Sequence, residues 1–141
     1  MSSTPREPAS ATEGESPQGP TETAPAALVN ASALQEITGG NATIMEDIVG
    51  EFAETAREMV AKLDTALRAG DILGAMRAAH TLKGSSGIIG AGRLHRLSLA
   101  VERSASTGDL AAARDYFAKL QEVHPASIAA LQALVTEARA A

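Results

Sequence analysis

The sequence predicts an all-α protein, an antiparallel up-down-up-down four-helix bundle with a short additional N-terminal helix. From Asn30 onward, apolar residues recur every three or four positions, which is typical of amphipathic helices. The helical segments are separated by connections of only a few residues, and short connections favour antiparallel neighbours. The chain has one Tyr, two Phe and no Trp, so its core must be built from aliphatic residues and alanine.

The first 29 residues differ in composition from the rest. Five of the six prolines lie there, among Ser, Thr, Glu, Gly and Ala. Such a segment cannot bury enough apolar surface to offset the entropy of ordering it. We therefore divide the chain into a disordered Pro/Ser/Thr/Glu-rich tail or linker at 1–29 and a helical bundle at 30–141. Composition leaves open whether the chain is a free-standing protein or a fragment of a larger one.

Capping residues mark the elements in order. Asn30 can cap a short helix from Ala31 to about Thr38, which Gly39-Gly40 would close. The longer helices are predicted from Asn41 or Thr43 to Ala69, from Asp71 to about Ile89, from about Ala91 to Ser106, and from Asp109 onward. In the last helix the residues predicted to face inward, at about 3.5-residue spacing, are Leu110, Ala113, Phe117, Leu120, His124, Ile128, Leu131, Leu134 and Ala138.

Charge and hydropathy exclude several classes of function. Lys plus Arg is 12 and Asp plus Glu is 17, giving a net charge of −5; with no basic block, this argues against nucleic acid as a partner. No apolar run approaches the roughly 18 residues of a membrane span. The N-terminus also lacks a charged start followed by an apolar stretch. We expect no membrane insertion and a cytoplasmic location.

The third helix carries the most distinctive stretch, AHTLKGSSG at 79–87. Helical spacing places Met76, His80, Lys83, Gly84 and Gly87 on one face. A neutral imidazole is a nucleophile near pH 7, and a nearby lysine can offset the charge of a phosphoryl group. Each glycine costs a helix roughly 0.5–1 kcal/mol relative to alanine, a cost that makes sense if side chains there would block a partner. Alternatively, the histidine is an ordinary surface residue and the glycines allow close packing; spacing alone does not decide between the two.

With this stretch, the chain closely resembles the histidine-containing phosphotransfer (HPt) domains of multistep two-component phosphorelays. The resemblance covers roughly Ala31 to Ala140. The residues that carry the resemblance are His-Thr-Leu-Lys-Gly-Ser-Ser-Gly at 80–87, then Ile89-Gly90-Ala91 and Arg93-Leu94. The resemblance implies a phosphorelay carrier that accepts a phosphoryl group on His80 from a receiver-domain aspartate and passes it to the aspartate of another receiver. It assigns charge stabilisation to Lys83 and clearance for the partner to Gly84.

Other residues are predicted to support this site. Glu102, on the fourth helix, is expected to lie near His80 across the helix pair, and relatives often carry Gln or Glu at the matching position. The residues predicted to contact the partner are Gly87, Ile44, Ile48 and Met76. For Ile44 and Ile48 there is an alternative, since both could instead pack against the first helix.

The resemblance also implies partners and cofactors. The partners would be response-regulator receiver domains, with a hybrid histidine kinase as a further candidate, and the receiver would supply Mg²⁺ and the aspartate. The chain would have no cofactor of its own, and we expect a monomer. It contains no Gly-rich phosphate loop, so we predict a phosphotransfer intermediate without autonomous kinase activity and leave open whether to call it an enzyme.

Two other functions remain open. The chain could be the phospho-accepting domain of a chemotaxis-type histidine kinase, phosphorylated by a kinase catalytic domain, or a non-catalytic adaptor bundle in which His80 is incidental. No pair of the three histidines has the i, i+4 spacing of two ligands on one helix face, so we predict no metal site. His124, on the apolar seam before Pro125, is predicted to be structural.

Overall fold

A computed structural model of the protein describes residues 28–141. Its helices are α1 (Ala31–Thr38), α2 (Ala42–Ala69), α3 (Ile72–Ile89), α4 (Gly92–Ser106) and α5 (Leu110–Ala140). Most of the predicted tail lies outside the described residues, but Leu28, which the prediction assigned to the tail, is buried; the packed part of the chain therefore begins no later than that residue. None of the helices within 28–141 combines the length and apolar character needed to cross a membrane.

Local side-chain chemistry sets the helix ends. The side chains that accept a backbone N–H at a helix start are those of Asn30, Asn41, Asp71 and Asp109. At the other ends, Gly39, Gly70 and Gly90 have φ angles of 65°, 72° and 87°, a left-handed conformation that glycine adopts without steric cost. Because each stop residue is followed almost at once by the next cap, the connections are only two or three residues long.

The four long helices form a closed ring. Helix α3 packs against α2 and α4, and α5 packs against the same two helices from the other side. With such short connections, consecutive helices run antiparallel, so the predicted fold class is confirmed. Helix α1 lies across α2 and α3, as the additional N-terminal helix of the prediction.

Helix α1 is fastened to the end of α3. The Asn30 backbone N–H donates to the carbonyl oxygen of Gly90 at 2.8 Å. A Cβ atom at Gly90 would lie 2.8 Å from the Cβ of Ala33 and 2.9 Å from the carbonyl oxygen of Asn30. Glycine is therefore required at this position both by its φ angle and by the close approach of α1.

Small side chains seat α3 in the bundle. Its buried residues are Ala75, Ala78, Ala79, Leu82, Ser86 and Ile89. The buried hydroxyl of Ser86 donates to the carbonyl oxygen of Leu82 at 2.6 Å, and that of Ser98 on α4 donates to Leu94 at 2.8 Å. Both hydroxyls are thus satisfied within their own helices, and the opposite face of α3 is left to solvent.

The inward stripe of α5 differs from the prediction in its second half. Its buried residues are Ala113, Phe117, Leu120, Val123, Ser127, Ala130, Leu131 and Val135. His124 and Ile128, which the prediction placed on the core line, are only half-buried. The reason is helical drift, because a straight α-helix turns about 20° per heptad away from a strict 3.5-residue repeat. Pro125 lies inside α5 and does not end it.

Two arginines of α5 connect it to α2. The guanidinium of Arg114 donates to the carbonyl oxygen of Leu67, from Nη2 at 2.6 Å and from Nε at 3.1 Å. This carbonyl lies in the last turn of α2, where it also accepts the Gly70 N–H at 3.3 Å, so the guanidinium adds to the capping of the helix end. Arg139 forms an ion pair with Glu46 near the start of α2. The two contacts hold α5 against both ends of α2.

Stability should depend on pH through His124. Burial lowers the pKa of its imidazole below the ordinary value of 6.5, and its Nε2 has no hydrogen-bond partner among residues 28–141. As the pH falls, the unfolded chain therefore binds a proton at His124 before the folded chain does. The free energy of unfolding is at its full value above pH 6.5 and decreases as the pH falls below it. We predict that the melting temperature drops more in the wild type than in His124→Asn between about pH 7.5 and about pH 5.5.

Calorimetry or circular dichroism at both pH values measures this difference. The substitution removes the titrating group while keeping a polar side chain of similar reach. Equal drops in the two proteins would contradict the prediction.

Candidate functional site

His80 stands on the solvent side of α3. It follows buried Ala79 directly, yet its own side chain is 67% exposed. The buried alanines hold the helix against its neighbours, so the imidazole projects from a rigid support. A large molecule can therefore reach the ring without unfolding any part of the bundle.

Glu102 of α4 contacts two side chains of α3, those of His80 and Lys83. Its Oε2 lies 2.9 Å from His80 Nδ1, and its Oε1 lies 2.8 Å from the Nζ of Lys83. The Glu102 side chain is only 19% exposed, so this ion pair is shielded more than an ordinary surface pair. One carboxylate therefore joins the imidazole and the ammonium across the α3–α4 boundary.

The contact with Glu102 determines the tautomer of His80. Partial burial alone would raise the pKa of the Glu102 carboxyl, but the contacts with Lys83 and His80 outweigh it and hold the pKa below its ordinary value of 4.5. An ionised carboxylate can only accept hydrogen bonds, so Nδ1 of His80 carries the hydrogen and donates it. In the neutral ring this leaves the lone pair on Nε2, the nitrogen farther from the backbone.

The two glycines of this face have different surroundings. A Cβ atom added to Gly84 would meet nothing within 4 Å, so the surface one turn beyond His80 is open. A Cβ atom on Gly87 would lie 3.1 Å from Nδ1 of His95. Of the two interpretations of these glycines, open clearance therefore describes Gly84 and close packing describes Gly87.

Comparison with protein-family models gives a match to the Hpt domain over residues 47–141. The chain belongs to the Hpt domain family. This membership supports a role in histidine phosphotransfer within two-component signalling, in which Hpt domains interact with receiver domains and kinases. The match begins inside α2, so α1 lies outside it. Searches of curated proteins and of solved structures gave no significant match.

The remaining residues predicted to contact a partner are Ile44, Ile48 and Met76, and they differ in exposure. Ile44 is 44% exposed. Ile48 is partly buried and lines a groove of about 220 Å³ between α2 and α3, together with Ser85 and Ile88. Met76 is partly buried against the core.

The sequence alone assigned no role to two further residues, Ile88 of α3 and His95 of α4. Ile88 is 69% exposed, more than any other large apolar residue described, and nothing in the periodicity of α3 marked it. His95 donates a hydrogen bond from Nδ1 to the carbonyl oxygen of Lys83 at 2.8 Å. Its position seven residues before Glu102 was the one available signal, since that spacing puts both on one face of α4.

The two glycines should respond differently to the same substitution. Gly84→Ala should raise the free energy of unfolding by about 0.5–1 kcal/mol, because alanine is the better helix former and meets no neighbour. Gly87→Ala should bring no such gain, because the new methyl group presses on the His95 ring. Urea unfolding of both variants measures the difference. An equal gain at both positions would contradict the assignment of Gly87 to internal packing.

Proposed function

We propose that this Hpt domain is a phosphorelay carrier that accepts a phosphoryl group on His80 from a receiver-domain aspartate and passes it to another receiver-domain aspartate. The observation that carries the proposal is the hydrogen bond from His80 Nδ1 to Glu102. In the neutral ring it puts the hydrogen on Nδ1 and the lone pair on exposed Nε2, which is what a nucleophile for an acyl phosphate requires.

The transfer step balances without an added proton. The Nε2 lone pair attacks the phosphorus atom, an Nε2–P bond forms, and the P–O bond to the aspartyl carboxyl group breaks as the aspartate leaves as a carboxylate. The hydrogen on Nδ1 stays in place, so the phosphorylated ring is cationic. Glu102 then faces that cation directly, which supports a stabilising role for its charge. Transfer to the second receiver reverses the same bonds.

Lys83 is suited to offset the charge of the phosphoryl group. Its ammonium is held 2.8 Å from Glu102, one helical turn beyond His80. Lysine is a point charge on a flexible stem with three donor hydrogens, so it can keep the carboxylate and also turn toward a phosphoryl oxygen. We assign Lys83 to charge stabilisation on this ground.

The partner would approach over α2 and α3. Gly84 leaves the surface beside His80 open, and Ile44, Ile48 and Ile88 offer apolar area at the end of α3 nearer α1. We expect the receiver to bring the Mg²⁺ and the aspartate, while this chain contributes the positioned nucleophile. A single copy in the cytoplasm would suffice for such a carrier, because the site lies within one bundle.

The proposal is tested by supplying the protein with different phosphoryl donors. Mixed with a phosphorylated cognate receiver, the protein should gain an acid-labile, base-stable phosphate on His80 Nε2, and His80→Gln should abolish it. Labelling and nitrogen NMR of the product measure both points. A phosphate that survives the substitution would contradict the role of His80. Labelling by a kinase catalytic domain with ATP, but by no receiver, would favour the chemotaxis-type alternative.

The role of Gly84 can be tested with a matched pair of variants. Gly84→Gln should slow transfer at least about tenfold, because the side chain would occupy the surface that the receiver must cover. Gly50→Gln makes the same change at another helical glycine with open surroundings, in a groove between α2 and α5, and should transfer at the wild-type rate. Transfer reactions quenched at successive times measure the transfer rates of both variants. Equal rates in the two variants would contradict the clearance assigned to Gly84.

A further inference from the structure

His95 makes an unusual contact for a surface histidine of a helix. Its Nδ1 donates to the carbonyl oxygen of Lys83, a residue in the middle of the neighbouring helix, at 2.8 Å. The ring also lies over Gly87, where a Cβ atom would come within 3.1 Å of Nδ1 and 3.3 Å of Cε1. The bond therefore depends on a bare position in α3.

Lys83 is held by α4 at two points. His95 bonds its backbone carbonyl, and Glu102 pairs with its ammonium. These two α4 residues are seven positions apart, which is two helical turns on one face. Because α4 runs antiparallel to α3, the step from His95 to Glu102 corresponds to the step back from Gly87 to His80. The contacts together define one register between the helices.

We infer that His95 is a positioning residue of the phosphoryl-acceptor site, a role that rests on the function proposed above. Its hydrogen bond to the Lys83 carbonyl fixes the register in which Glu102 reaches both His80 and Lys83. His95 touches none of the reacting atoms. It acts through Glu102, which holds the hydrogen on Nδ1 of His80 and so keeps Nε2 free to attack.

Register matters here because the contact it serves is short and directional. The Nδ1 to Oε2 distance is 2.9 Å, and a hydrogen bond weakens steeply when its donor and acceptor lose alignment. If α4 slides or turns, the Nδ1–H loses its acceptor and the neutral ring can place its hydrogen on Nε2 instead. That tautomer has no lone pair where the phosphorus must bind.

Two substitutions separate the hydrogen bond from simple packing. His95→Leu fills the space over Gly87 but has no donor. His95→Asn carries an amide nitrogen at the position of Nδ1 and can donate to the same carbonyl. Thermal unfolding of both variants checks that the bundle is intact. A lower transfer rate in either variant can then not be explained by unfolding.

The tautomer of His80 and the transfer rate are measured on the same proteins. Nitrogen-15 NMR of the His80 ring reports which nitrogen carries the hydrogen. We expect His95→Leu to populate the Nε2–H form and to lower the rate at saturating phosphorylated receiver by about tenfold, with KM little changed. That is the lower end of the losses seen when the partner that orients a metal-binding histidine is removed. We expect His95→Asn to stay near the wild type in both readouts.

The outcomes separate this inference from the function on which it rests. If His95→Leu keeps the wild-type tautomer or the wild-type rate, or if His95→Asn fails as His95→Leu does, His95 is not a positioning residue. If the wild type accepts no phosphoryl group from any receiver, the proposed function fails. In that case the tautomer comparison alone decides whether His95 positions Glu102.

Discussion

The carboxylate of Glu102 is the contact on which the site depends. It reaches across the boundary between α3 and α4 to the His80 imidazole at 2.9 Å and the Lys83 ammonium at 2.8 Å. Without it, α3 would present an imidazole whose hydrogen could sit on either nitrogen and a lysine free to move. With it, two side chains of one helix are fixed by one side chain of another. The hydrogen bond at Nδ1 leaves Nε2, in the neutral ring, as the nitrogen with the free lone pair.

The distances from Glu102 to His80 and Lys83 depend on the relative position of α3 and α4. The buried face of α3 is mostly alanine and serine, and such small residues let the neighbouring helices approach closely. The end of α3 is held by the Gly90 contact with α1, and the end of α2 by Arg114. Rigid elements position functional groups more accurately than loops do, and here every group of the site lies on a helix.

The sequence predicted the parts of this arrangement that depend on one helix at a time, together with one contact between helices, that of Glu102 with His80, which was expected from the face of α4 and the family resemblance. Capping by Asn41 and Asp71 follows from local chemistry, and the shared face of His80, Lys83 and Gly84 follows from helical arithmetic. The contact between His95 and Lys83 depends instead on the register of two helices, which local pattern does not specify. The half-buried position of His124 has a similar cause, since a small angular drift accumulates along α5.

The charges of the site suit the proposed role of a carrier that both accepts and donates a phosphoryl group. In the proposed carrier, a neutral imidazole, the lysine and the glutamate have charges that sum to zero before transfer. Phosphorylation adds about two negative charges on the phosphoryl oxygens and one positive charge on the ring, so the cluster changes by about one unit. Glu102 stabilises the cationic ring but repels the phosphoryl oxygens, while Lys83 does the reverse. Because each charge opposes part of what the other favours, we expect neither the unphosphorylated nor the phosphorylated state to be strongly preferred, which suits the proposed carrier between two aspartates.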